Sequence, residues 1–133
     1  MITTFIETIG LELGTITAER AMGRLVITDS HLQPYGVVHG GVYAAIGETL
    51  ASIGAHHAVQ QRDAGMAVVG LENHTSFLRT VRAGATVVAE GTPVHAGRRV
   101  QLWTVTMRDE QSGKDLARST VRLLVVDPHT LPG

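Results

Sequence analysis

Apolar residues recur at two different periods along this chain, and the changes of period mark its elements. Ile2, Phe5, Ile6 and Ile9 fall near one face at helical spacing, which predicts a short amphipathic helix over residues 2–9. Gly10 and Gly14 interrupt it. Residues 11–19 and 22–28 then read as two strands joined by a tight turn, with Leu25 and Ile27 alternating with Arg24 and Val26. Asp29, Ser30, Pro34 and Gly36 punctuate a loop over residues 29–38. From Gly40 to about Val59 the helical period returns, with Val42, Tyr43, Ile46, Leu50 and Ile53 on one face. A helix of that length spans about 30 Å, the width of a small domain. After the polar link Gln60 to Gly65, four stretches rich in Val, Thr and Leu read as strands: Ala67 to Leu78, Ala85 to Val94, Val100 to Arg108 and Leu116 to Val126. Gly84, the Ala96-Gly97 pair and Gly113 separate them, which suits antiparallel meander connections. One long helix must then cover one face of an antiparallel sheet, an α+β layout in a single domain over residues 1–133.

Composition narrows this picture. With 133 residues, 44% hydrophobic and 17% charged, the chain can bury one core but hardly a second. Its formal net charge is -1 with both signs interspersed, so no basic stripe points to nucleic acid and no polybasic run to an anionic membrane. The absence of cysteine excludes disulfides, thiolate catalysis and cysteine-rich zinc sites, and fits a reducing compartment. Met1 to Glu12 lacks the basic start and continuous apolar core of a signal peptide. Gly40 to Ala55 is too short for a membrane span and carries Glu48 at its middle. A cytoplasmic protein with no membrane partner is expected, with Pro128 to Gly133 as a short tail.

Glu48 is the feature that carries chemistry. It is the one formally charged residue between His39 and Gln61. At about 100° per residue it lies opposite the Val42, Ile46, Leu50, Ile53 stripe, on a face of small residues: Gly41, Ala44, Ala45, Ser52 and Ala55. A solvated helix face ordinarily uses long charged residues, so this face is expected to pack against something and leave a slot around the carboxylate. Taken alone, the pattern favours a solvent-facing glutamate over a catalytic one. His39-Gly40-Gly41 opens the helix directly, and a helix start offers unpaired N–H groups and the positive end of the dipole to a carbonyl oxygen. Glu48 follows about two turns later, so one bound thioester could meet both groups.

The run Gln33-x5-His39-Gly40-Gly41-x6-Glu48-x3-Ser52 resembles the active-site signature of hotdog-fold thioesterases. The similarity is to the branch holding Glu-dependent 4-hydroxybenzoyl-CoA thioesterases, 1,4-dihydroxy-2-naphthoyl-CoA hydrolases and PaaI-like enzymes. Val68 to His74 and His95 to Trp103 look like the following strands of that branch, and the resemblance covers most of residues 5–126. It implies a long helix wrapped by one antiparallel sheet, with two subunits pairing their sheets edge to edge and each active site at the interface. A homo-oligomer is therefore expected: a dimer at least, or a dimer of dimers. The resemblance implies Glu48 as nucleophile or general base, Gly40 as donor of its N–H to the thioester carbonyl, and His39 as a shaper of that site or a second donor to the same oxygen. It implies Gln33 as the group orienting water or carboxylate, and Ser52 as an assisting hydroxyl. Many relatives carry Asp where this chain has Glu48, and proline where it has Thr80.

The substrate so implied is an acyl-CoA, aryl or otherwise bulky, with the small side chains around Glu48 making room for the acyl group; coenzyme A enters as part of the substrate, with no separate cofactor. Its phosphates need cations, for which Arg98 and Arg99 are the first candidates, then Arg79 and His95. Exposed arginines beside a hairpin turn are more often solvated edge residues than ligands. No metal is expected, because His56 and His57 are adjacent and no HExxH spacing occurs. There is no GxSxG, GxGxxG or Walker-type loop, and Trp103 in its strand pattern reads as core or interface packing. Two other functions on the same fold stay open: a non-catalytic acyl-CoA-binding protein, and an enoyl-CoA hydratase using His39.

Overall fold

The computed structural model describes residues 2–132; Met1 and Gly133, the last residue of the expected tail, lie outside them. The elements run α1 Phe5–Ile9, β1 Glu12–Ile16, β2 Ala21–Val26, a 3-10 turn Asp29–His31, and α2 Gly40–Arg62. Then follow β3 Ala67–Phe77, β4 Thr86–Ala96, β5 Val100–Asp109, β6 Asp115–Val126 and a second 3-10 turn Pro128–Thr130. One six-stranded sheet in the order β1-β2-β4-β5-β6-β3 packs its inner face on α2, with antiparallel pairing throughout. This is the α+β hotdog arrangement: a long helix wrapped by one antiparallel sheet.

The expected meander holds only for β4, β5 and β6. β3 does not neighbour β4; it pairs with β6 and forms one edge of the sheet, while β1 forms the other. Gly84 therefore sits in a crossover that returns the chain to β2, where its positive φ of 95° is one that glycine adopts freely. The backbone there runs through Gly84 N–H to Ile27 O and Ile27 N–H to Ala85 O, which stitches the crossover to the end of β2.

The core follows the period of two on each inner strand. Gln101, Trp103, Val105 and Met107 of β5 are all buried, as are Ala117, Ser119, Val121 and Leu123 of β6. Their partner surface on α2 differs from the expected stripe. Tyr43, Ile46 and Leu50 are buried, but Val42 and Ile53 are half-buried, and Gly47, Ala51, Gly54 and Ala58 form the most central buried line. Close approach is the reason. A Cβ on Gly54 would lie 2.5 Å from Trp103 Cζ3, and one on Gly47 would lie 2.6 Å from Ser119 Cβ. The helix axis can sit against the sheet only because those positions carry no side chain. Glu48 thus lies on the shoulder of the buried face, about 100° round from Gly47, rather than opposite it.

Trp103 is fully buried; its Nε1–H donates to Gln101 Oε1 at 2.9 Å, so its polar atom is satisfied in the core. His31 joins the N-terminal segment to the loop before α2. Its Nδ1 accepts the Thr28 N–H at 2.9 Å, so the neutral ring carries its proton on Nε2, which donates to Ile9 O at 2.6 Å.

Tyr43 is almost wholly buried and donates its hydroxyl to Arg79 O at 3.0 Å. Burial first, and the charge of Asp109 second, push its phenol from 10.0 up to about 12. The folded value lies above the unfolded one, so the buried phenol's contribution is complete below pH 10 and is lost as pH rises towards 12. Alkaline unfolding should therefore lose up to about 2–3 kcal/mol across that window through this group. Denaturant titrations from pH 9 to 12 should show a flatter profile in Tyr43→Phe.

Candidate functional site

Glu48 lies in the third turn of α2, half-buried, with its side chain against β3. A Cβ on Gly70 would overlap Glu48 Oε2 and lie 3.1 Å from its Cδ, so the carboxylate occupies the space that a side chain at position 70 would fill. Its Oε1 accepts from Asn73 Nδ2 at 3.3 Å, and the same amide nitrogen donates to Ala44 O at 3.0 Å.

Gly70 and Asn73 are three residues apart, and strict alternation would set them on opposite faces of a strand. A register shift between Gly70 and Glu72 removes the conflict: Gly70 pairs with Leu123, and Glu72 with Arg122. The extra residue turns Glu72 outward towards Arg122, 3.9 Å away, and both Gly70 and Asn73 inward towards Glu48. Asn73 was not among the expected site residues. The one signal in the sequence was Gly70 itself, since glycine inside a strand marks a bulge or a close approach.

At the start of α2, the Gly40 N–H has no acceptor among the described residues, as the first turn of a helix dictates. Gly40 lines a cleft with Gln33, Tyr43, Phe77, Leu78, Arg79 and Thr80. A Cβ at Gly40 would lie 2.7 Å from the Phe77 ring, so this backbone is reachable only through glycine. The Gln33 side-chain oxygen accepts from the Tyr35 N–H. His39 is the N-cap of α2: its Nδ1 accepts the Gly41 N–H at 2.8 Å, which leaves Nε2 as its free position. His39 faces a different cleft, lined also by Phe5, Ile9, His31, Leu32 and Val42.

The structure thus groups Gln33, Gly40 and Arg79 in one cleft and places the Glu48 carboxylate outside it, against β3. Ser52, one turn beyond Glu48, is half-buried and makes no side-chain hydrogen bond among the described residues. Arg79 Nη1 donates to Asp115 O at 3.0 Å. Arg98 lines a separate cleft with Val59, Arg62, Asp63, Met66, Gly97 and Val125, at the C-terminal end of α2. His95 and Arg99 belong to the same β4–β5 end. Within one protomer the length of α2, about 33 Å, separates these from Arg79. Among the described residues no cluster of three His, Cys, Asp or Glu side chains could hold a metal ion. No helix among them is long and apolar enough to cross a membrane.

Residues 35–115 match the family model of the thioesterase superfamily. The 1,4-dihydroxy-2-naphthoyl-CoA hydrolase of Listeria monocytogenes is 35% identical over 104 residues, covering 78% of this chain and 81% of that enzyme. Among solved structures, Rv1847/MT1895 of Mycobacterium tuberculosis has a TM-score of 0.87 at 36% identity, covering 96% of this chain and 98% of that one. The thioesterase HI1161 of Haemophilus influenzae has a TM-score of 0.85 at 30% identity, covering 94% and 84%. Matched over more than half its length by the family model and along nearly all of it by these structures, this chain belongs to the thioesterase superfamily.

Proposed function

We propose that the protein hydrolyses an acyl-CoA, aryl or otherwise bulky, to the free acid and coenzyme A. The observation that carries this reading is a carboxylate held by an amide donor on a glycine floor, in a chain whose helix start also presents an unpaired N–H. Hydrolysis needs both: a group that attacks or deprotonates water, and a donor for the oxyanion that forms on the carbonyl. Glu48 either adds to the carbonyl carbon, expelling the thiolate and leaving an anhydride that water opens, or takes a proton from the attacking water. Gly40 N–H receives the carbonyl oxygen in either route, and Gln33 orients the water or the carboxylate. Ser52 stands one turn past Glu48 as the assisting hydroxyl.

Glu48 and Gly40 open on different places within one protomer, which favours a site shared by two. β3 is an edge strand with Leu71, Phe77 and Leu78 exposed, a liability that a second copy would cover. Antiparallel pairing of two such edges would bring Gly70 of one protomer towards Phe77 of the partner subunit. Glu48 of one then faces the cleft holding Gly40 of the partner subunit. Arg79 is the cation of the expected set beside that cleft. Arg98, Arg99 and His95 contribute to coenzyme A binding only where another protomer brings them near. The hydratase reading loses support because His39 faces a cleft apart from the one that Gly40 and Gln33 line.

Thiol release from benzoyl-, acetyl- and palmitoyl-CoA tests this. Hydrolysis of the benzoyl ester above the others is expected from a dimeric or larger protein. No thiol release from any of them, or a protein that stays monomeric while active, contradicts the reading.

A further inference from the structure

We infer that Asn73 is a positioning residue for Glu48, the last link of a hydrogen-bond chain that starts in the core; this rests on the function proposed above. The direction of every bond in the chain follows from its neighbours. Asn73 Nδ2 faces two oxygens, Ala44 O at 3.0 Å and Glu48 Oε1 at 3.3 Å, so the amide nitrogen must be the atom placed there. Its Oδ1 must then accept, and it does, from Thr75 Oγ1 at 2.6 Å. That uses the single proton of Thr75, so in the 2.7 Å contact between Thr75 and Ser119 the Ser119 hydroxyl is the donor. Ser119 is fully buried beneath Gly47, and a side chain at 47 would collide with it. The protons therefore run Ser119 to Thr75 to Asn73 to Glu48, and the chain terminates on an acceptor.

This arrangement fixes three things about Glu48. The fully buried Ser119 anchors the chain, so the amide cannot rotate without breaking its three hydrogen bonds. The shared donation to Ala44 O holds the carboxylate one turn back along its own helix, towards Gly40. Oε2, over Gly70, stays free of hydrogen bonds among the described residues and is the oxygen left for water or substrate.

Kinetics on benzoyl-CoA test the inference, with Glu48→Gln as the reference for loss of the carboxylate. Asn73→Ala should lower kcat on the order of 10- to 100-fold while KM stays within a few-fold, because a misplaced group costs rate rather than binding. Asn73→Asp, of the same shape, sets a second carboxylate beside Glu48 and should move the acid limb of the kcat–pH profile to higher pH. Thr75→Val should give a smaller fall in kcat, even should Asn73→Ala not fold. A merely structural asparagine would lower the thermal midpoint of Asn73→Ala without lowering kcat of the folded protein, and that result overturns the role. Wild-type kcat in Asn73→Ala with Glu48→Gln inactive also overturns it while leaving the proposed function standing. Full activity in Glu48→Gln instead overturns the function, and this inference with it.

Discussion

Glu48→Gln is expected to lower kcat by about 100- to 10,000-fold, the range that a positioned base contributes. KM should change little, since the amide keeps the size of the side chain and loses only its charge. The Asn73 Nδ2–H can still be accepted by the glutamine oxygen, so the fold around β3 should persist. Thermal denaturation of the variant should stay close to wild type. A loss of activity with an unchanged midpoint assigns the effect to chemistry rather than packing.

The largest expected effect on stability comes from Gly54. Gly54→Ala puts a methyl group 2.5 Å from Trp103 Cζ3. Neither partner can yield readily: Trp103 is fully buried with its indole N–H bound to Gln101, and α2 is packed against every strand of the sheet. Overpacking of this kind costs about 1–3 kcal/mol, a large share of the 5–15 kcal/mol that holds a typical domain together. Urea unfolding should show the midpoint falling with the slope unchanged. Gly113→Ala offers the comparison, because a Cβ there meets nothing within 4 Å and its cost is confined to a positive φ of 73°.

Those two positions show which parts of the molecule the sequence carried openly. The single charge of Glu48 inside a long apolar stretch could be read directly, as could the glycines that open α2 and the period of two along β5 and β6. The line of closest approach could not. A stripe drawn through Val42, Ile46, Leu50 and Ile53 follows large residues, whereas the helix buries itself most deeply where Gly47 and Gly54 leave room for Ser119 and Trp103. The place of β3 was equally hidden: its pairing with β6 joins residues about fifty apart, and no local pattern records which edge a strand will take. The bulge after Gly70 was a third case. It reverses the facing of everything beyond it, so Asn73 reads as an outward residue by alternation and is an inward one in the fold.

The site divides along the same line. Gln33, Gly40 and Glu48 stand out by residue type and spacing, while their distribution between a cleft at the helix start and a slot on β3 depends on tertiary packing. The cations expected to meet coenzyme A divide similarly, Arg79 at one end of α2 and Arg98 at the other. Exposed side chains on turns carry no local sign of which end of the helix they will reach.

The role of Glu48 is tested most directly by the release of free thiol from benzoyl-CoA by wild-type protein and by Glu48→Gln, at equal concentration and with matched thermal midpoints. Steady release by wild type and almost none by the variant is the predicted result. Equal release by the two proteins, or none by wild type, would contradict it.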